Sequence, residues 1–319
     1  MSSAGGTRLP QESLLRESLL LVVLLAATWV IAGFALEGAG VGVVAAGRAG
    51  FAALGLFLLT LLPRRGGARS APADRTPAGR GYAWWQLGIL SLTGVTGYTV
   101  LSTVAISLAG PAIPSLILAL SPVVTLVAES LLNRVRMSLL VLASTTVAIV
   151  GAVLYVLPRL GAPGGSSVLG VLAAVGAMLS MAAYGLLFAH LNRGRRGPMA
   201  PRILPIFALG SVPLVLWAVV EVWSGGRCEP WVILVLAVLG LAVYVPAYLV
   251  QHRIIATAGA SHAALFGLAV PPVVGLTAAV LGLAALPEPL QVWGIVLTLA
   301  GMLVVIRSRS QRPRSAASP

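Results

Sequence analysis

The chain has 319 residues, 58% of them hydrophobic and only 9% charged, and its basic residues outnumber the acidic ones 21 to 8. A soluble domain carries about 25% charged residues, and folding this much apolar sequence into one globule would leave large exposed patches, so the composition excludes a water-soluble fold. All the basic residues are arginine, and they stand in short runs between apolar stretches rather than on one face with interleaved aromatics, which excludes a nucleic-acid surface.

Residues 1–18 form a polar segment with Arg8, Glu12, Arg16 and Glu17, lacking the short apolar region and small-residue cleavage site of a secretory signal. The apolar run that follows is therefore expected to be a retained signal anchor. Runs of about 17 to 25 apolar residues predict ten spans, at 19–37, 41–62, 83–108, 112–132, 138–158, 168–191, 203–223, 231–251, 260–285 and 290–307. Lipid leaves no backbone polar group a solvent partner, and these runs are longer than barrel strands of about ten residues, so the spans are predicted as helices. The predicted fold is all-α: a polytopic integral membrane protein with ten transmembrane helices.

Arginine retention orients the spans, because cytoplasmic loops keep positive charge. The segments before span 1, after spans 2, 4, 6 and 8, and after span 10 hold 18 arginines; the alternate segments hold only Arg159 and Arg227, and Arg48 lies inside span 2. Both termini are thus expected on the cytoplasmic side of the cell membrane. The linker 63–82 and the basic tail 308–319 read as topology anchors beside anionic head groups. Trp84 and Trp85 at one face, with Trp223 and Trp231 at the other, fit interfacial aromatic belts. A lysine-free composition rich in Ala, Gly, Arg and Pro points to a GC-rich, bacterial genome.

A shift of 150 residues lays ALSPVVTLVA (119–128) on AVPPVVGLTA (269–278), and carries Tyr98 onto Tyr248 and Gly151 onto Gly301 without a gap. The chain therefore divides into a five-helix repeat over 19–158, a connecting loop at 159–167 and a second five-helix repeat over 168–307. Five is odd, so the second copy enters the membrane from the opposite side and the repeats are inverted. Inverted repeats suit secondary transporters, in which two similar halves offer alternating access to a midplane site. The same shift pairs Pro122 with Pro272, predicted kinks inside spans 4 and 9. Matched interruptions of this kind point to a substrate site, although packing kinks alone would also explain them.

Trp29, Tyr98, Tyr184 and Tyr248 lie well inside spans 1, 3, 6 and 8, and each presents an aromatic face with a polar edge. With Ser121, Pro122 and Pro272 they are the candidate substrate-binding residues, helix packing being the alternative for each; Tyr244, one turn from Tyr248, is a weaker addition. Charges inside a bilayer are costly and need partners. Arg48 is such a charge, with Glu37 the nearest carboxylate on its side and either a structural pairing or a substrate carboxylate as its role. Glu129 in span 4 is a candidate proton carrier, or an interfacial carboxylate paired with Arg134 or Arg136. His190, His252 and His262 sit near span ends, where interfacial solvation explains them. No metal or cofactor is expected: no helix-borne His pair, CxxC site or GxxxxGK[ST] loop is present, and Cys228 stands alone.

These residues together resemble the EamA-type branch of the drug/metabolite transporter superfamily. The resemblance covers roughly residues 20–306 and is carried by Trp29 with Phe34, AAGRAGFAAL (45–54), TGYTVLSTVAISLA (96–109), the two proline motifs with Gly151, Gly294 and Gly301, and SMAAY (180–184), where Met181 replaces the family's tryptophan. Two departures stand out. The Gly-Glu pair that members often carry after the repeat proline falls near Arg134-Val135 and Ala284-Ala285, with Glu288 three residues late, and a span-1 lysine is here Glu37. The resemblance implies a permease of small metabolites, often an exporter of amino acids or similar compounds, and no enzyme. Protons are the expected coupling ion. The alternative is a flippase of lipids or lipid-linked sugars from the same superfamily; an intramembrane lipid-modifying enzyme is disfavoured by eight scattered acidic residues.

Overall fold

The computed structural model describes residues 11–61, 82–121, 123–124, 127–128, 138–159, 167–192, 199–250 and 269–310. Ten helices run through them: α1 Gln11–Ala35, α2 Val41–Leu61, α3 Trp84–Ala109, α4 Ala112–Ala119, α5 Leu139–Val156, α6 Val168–Asn192, α7 Ala200–Trp223, α8 Pro230–Val250, α9 Val270–Val280 and α10 Pro289–Ser310. One helix falls on each predicted span. Six of them, α2, α3 and α5 to α8, are long and apolar enough to cross a membrane. The described parts of α4 and α9 are shorter, and residues 129–137 and 251–268, which belong to spans 4 and 9 and the loops beside them, lie outside the described residues, as do Pro122, Glu129, His252 and His262.

Sequence explains the breaks. Gly110, at φ 69, ends α3 in a left-handed conformation that a side chain would strain. Pro111 follows it as the N-cap of α4. Pro271 and Pro272 stand in the first turn of α9, where a missing N–H breaks no helical bond. Pro272, the interruption expected inside span 9, thus stands at the start of the described helix, and residues 251–268 before it lie outside the described residues. Trp84, Trp85 and Trp223 are exposed at helix ends, as an aromatic belt requires.

The helices pack in a definite set of pairs: α2 with α7, α5 with α10 and α4 with α9; α1 with α8 and α3 with α6; α2 with α8 and α3 with α7; α1 with α9 and α4 with α6. One core cluster joins α1, α2, α7 and α8 around Trp29, Ala45, Ala49, Ile206, Leu214 and Leu239. A second joins α3 to α6 and α10 around Ile113, Leu116, Ala148, Ala174 and Met302. Many Leu and Val side chains on the outer faces remain exposed, including Leu140, Leu169, Leu216 and Leu234.

Between α5 and α10 the backbones touch. A Cβ on Gly151 would lie 2.5 Å from the Thr298 amide nitrogen and 2.6 Å from the Gly294 carbonyl oxygen, and one on Gly301 2.5 Å from the Ser144 carbonyl oxygen. Small residues let membrane helices approach this closely. The Thr298 hydroxyl donates to the Gly294 carbonyl at 2.8 Å, and Gln291 Nε2 donates to the Tyr155 carbonyl at 3.1 Å. Gly294→Val should therefore force the pair apart at a cost of at least about 1–3 kcal/mol, the usual range for overpacking. The check is a lowered thermal midpoint of the detergent-solubilised protein; an unchanged midpoint would show that the seam yields freely.

Two of the long helices contain a π-helical turn, at Leu92–Gly97 in α3 and Val238–Tyr244 in α8. Such turns widen the ladder and leave backbone groups for other partners. In α3 the Thr93 carbonyl accepts from the Ser180 hydroxyl of α6 at 2.7 Å, while the Thr96 hydroxyl donates to the Gly210 carbonyl of α7 at 2.8 Å. In α8, Gly240 leaves the room that Phe51 of α2 occupies.

At one end of the bundle the α1–α2 and α7–α8 turns meet. Ala39 and Cys228 form an isolated antiparallel bridge, with Gly40 N donating to Arg227 O at 2.9 Å and Glu229 N to Gly38 O at 2.8 Å. The Glu221 carboxylate, at the end of α7, accepts from Val43 N at 2.9 Å and so caps the start of α2. A carboxylate there complements the helix dipole as well.

Candidate substrate site around Arg48

Arg48 is 2% exposed, on a face of α2 whose neighbours Ala45, Ala49 and Ala52 are small and buried. Ala side chains leave the guanidinium space to cross to other helices. Its Nε and Nη2 donate to the Tyr244 hydroxyl of α8 at 3.0 and 2.6 Å. Its Nη1 donates to the hydroxyls of Ser102 at 3.2 Å and Thr103 at 2.8 Å, both on α3. These hydroxyls in turn donate to the Thr99 carbonyl, at 3.2 and 2.7 Å. The guanidinium carbon lies 5.7 Å from the centre of the Tyr244 ring.

Every one of these acceptors is neutral. Among the described residues the ion pair present is Arg227 with Glu229 at 3.6 Å, and no carboxylate reaches Arg48. Glu37, the nearest carboxylate along the chain, is exposed in the turn after α1 and does not serve as its counter-ion, which corrects the expectation of a structural pairing between the two. A buried charge without a counter-ion is tolerated only because its hydrogen bonds are made.

A pocket opens beside this cluster, lined by Arg48, Ala49, Gly94, Tyr98, Thr99, Phe207, Tyr244 and Tyr248. The room that a water-sized sphere can occupy in it is only about 10 Å³, enough for about one water, so the pocket is nearly closed. Its walls are aromatic: the Phe207 and Tyr248 rings meet edge to face at 5.3 Å, and Tyr244 and Tyr248 stack at 6.1 Å. Both π-helical turns border it, since Gly94 belongs to one and Tyr244 to the other.

Of the expected residues, the structure brings Arg48, Tyr98 and Tyr248 together. Tyr184 stands next to them, its ring packed on Gly94 where a side chain would collide with it. Trp29 is buried in the main core, Ser121 is half-buried at the end of α4, and Pro272 lies in the first turn of α9; none of these three lines the pocket. The sequence does not single out Ser102, Thr103 or Phe207, and marks Tyr244 only weakly. A signal exists for the α3 hydroxyls: Thr99, Ser102 and Thr103 fall at i, i+3 and i+4 on one helix face. Among the described residues no three His, Cys, Asp or Glu side chains gather to hold a metal.

Tyr244→Phe removes the acceptor of two charged donors in a buried setting. Leaving such donors unsatisfied costs about 1–3 kcal/mol or more, so a lower thermal midpoint than that of the natural protein is expected. A midpoint equal to it would mean that Arg48 finds another acceptor at once.

Comparison with known proteins agrees with this architecture. A solved crystal structure, described only as that of a protein, is similar with a TM-score of 0.59 and 20% identity over 95% of this chain and 100% of its own, a likeness of fold alone. No curated protein matches the chain. Residues 18–157, which carry α1 to α5 and with them Arg48, Tyr98, Ser102 and Thr103, match the model of the EamA-like transporter family. Over that stretch, somewhat less than half of its length, the chain is similar to the EamA-like transporter family, part of the drug/metabolite transporter superfamily, and its apolar helices make it a multi-pass membrane protein.

Proposed function

We propose that the protein is a secondary active permease that exports a small metabolite, an amino acid or a related amphipathic compound, by alternating access and in exchange for protons. The observation that carries this reading is the buried guanidinium of Arg48 at the edge of a nearly closed aromatic pocket between α2, α3, α7 and α8. Arg48 lies seven residues into α2, roughly 10 Å along the helix, and Tyr98 fourteen residues into α3, roughly 21 Å. A site at that depth is remote from both ends. Tyr98, Tyr248 and Arg48 contact substrate, Tyr184 supports the wall, and Glu129 carries the proton. Trp29, Ser121, Pro122 and Pro272 are assigned to the helices that must shift for the pocket to open.

Support for two inverted five-helix repeats comes from the packing pairs. Replacing each helix by the one five places along turns α1 with α8 into α6 with α3, α2 with α8 into α7 with α3, and α1 with α9 into α6 with α4, all of which occur. The pairs α2 with α7, α4 with α9 and α5 with α10 map onto themselves. The seam between α5 and α10 repeats this in detail: Gly151 approaches Gly294 and Thr298, and Gly301, 150 residues on, approaches Ser144 and Ala148, each 150 residues back. The arginine distribution supports an orientation with both termini in the cytoplasm of a bacterial cell.

The test is movement of a panel of amino acids, amphipathic amines and organic acids into or out of proteoliposomes, with and without an imposed pH gradient. Gradient-driven, saturable movement of one class is the expected result. No movement of any class by folded protein would overturn the permease reading and turn attention to lipid translocation.

A further inference from the structure

Resting on the permease reading, a narrower statement about the substrate follows from charge. We infer that the pocket beside Arg48 takes a monoanion: the carboxylate of a small acid with a flat apolar body, bound in preference to the ammonium compound of the same shape.

The first ground is the unbalanced charge. The carboxylates whose side chains are described are all engaged or remote: Glu221 caps α2 through Val43 N, Glu229 pairs with Arg227, and Glu37 and Glu288 are exposed in turns. Arg48 has neutral oxygen partners instead, from Tyr244, Ser102 and Thr103. Guanidinium has five N–H donors in a planar fork; these partners take up four bonds, and the neutral Tyr98 hydroxyl is a further hydrogen-bond partner. The cluster therefore holds the cation in place without neutralising it. An arriving carboxylate finds a pre-desolvated positive charge, and ion pairing in a low-dielectric setting needs such preorganisation to be favourable.

The second ground is the wall opposite. Tyr98, Phe207, Tyr244 and Tyr248 supply ring faces and edges, and no described acidic side chain lines the pocket to receive an ammonium group. A cation would meet Arg48 as a like charge. The third ground is valence. One guanidinium with no second cation in the lining matches one negative charge rather than the two of a phosphate monoester.

The experiment uses the full chain in lipid nanodiscs and two probes of matched shape, 3-phenylpropionate and 2-phenylethylammonium. Thermal unfolding is followed as each is titrated at constant ionic strength. The expected result is a saturable rise in the midpoint with the carboxylate, at an affinity at least about tenfold above that of the amine, equivalent to about 1.4 kcal/mol. Arg48→Lys keeps the charge but loses the fork and should weaken the carboxylate by about tenfold. Equal or tighter binding of the amine would overturn the inference, and so would the absence of a saturable shift with either probe. The two readings fail separately. Amine movement in proteoliposomes without carboxylate movement keeps the permease and removes the anion site, whereas saturable carboxylate binding with no movement of any compound keeps the anion site and removes the permease.

Discussion

Arg48→Met is expected to give a protein that folds at least as well as the natural one and moves its substrate about tenfold to a hundredfold more slowly, the equivalent of one charged hydrogen-bonded contact. Stability and activity part company here for a physical reason. The guanidinium is 2% exposed and has no described counter-ion, so its burial costs desolvation that neutral hydroxyls only partly offset. Methionine fills much of the same volume without that cost. The Ser102 and Thr103 hydroxyls keep their bonds to the Thr99 carbonyl, so the substitution orphans few groups. A residue kept solely for packing would show the reverse, with a falling thermal midpoint and unchanged transport per folded molecule. Measuring both quantities on one preparation decides between them.

The second large effect concerns the end of the bundle where two turns are bridged. Ala39 faces Cys228 in the narrow, non-hydrogen-bonded position of the bridge, flanked by the Gly40–Arg227 and Glu229–Gly38 bonds. Cα atoms in such pairs lie about 4.5 Å apart, within the reach of a disulfide. Cys228 is the only cysteine in the chain, so Ala39→Cys creates a single possible intramolecular link. Oxidation should join the α1–α2 turn to the α7–α8 turn and reduce transport to background, with full recovery on adding reductant. Complete cross-linking with undiminished transport would show that these turns travel together and that access opens elsewhere.

Much of this is legible in the residues. Ten apolar runs of spanning length become ten helices because length and hydropathy leave a membrane segment few alternatives. Arg48 stands out because a charge at that depth is expensive wherever it points. Its partners are harder to see. Ser and Thr in membrane helices commonly bond the carbonyl three or four residues back, as Ser107 and Ser115 do here, so Ser102 and Thr103 carry no mark of a second role until α2 is placed against α3. Tyr244 and Tyr248 sit one turn apart, and which of them meets the guanidinium depends on a helical irregularity that hydropathy does not encode. Trp29 shows the other side of this: an indole is amphipathic, and the sequence cannot choose between its two readings, cavity lining or helix packing, whereas the structure buries it in the core.

The same irregularity decides which way the rings point. An α-helix advances by about 100° per residue, so one residue more than the regular ladder holds swings everything after it by that angle. The π-helical turns at Leu92–Gly97 and Val238–Tyr244 each sit immediately before or at the tyrosines that wall the pocket. The azimuth of Tyr98 and of Tyr248 is thus set by an effective insertion upstream, not by their own side chains. Deleting a single apolar residue from either turn would shorten the span by only about 1.5 Å and leave the topology untouched, yet turn a pocket-facing ring toward lipid or a neighbouring helix. The shape of this pocket is thus set partly by irregularities in the helices that wall it.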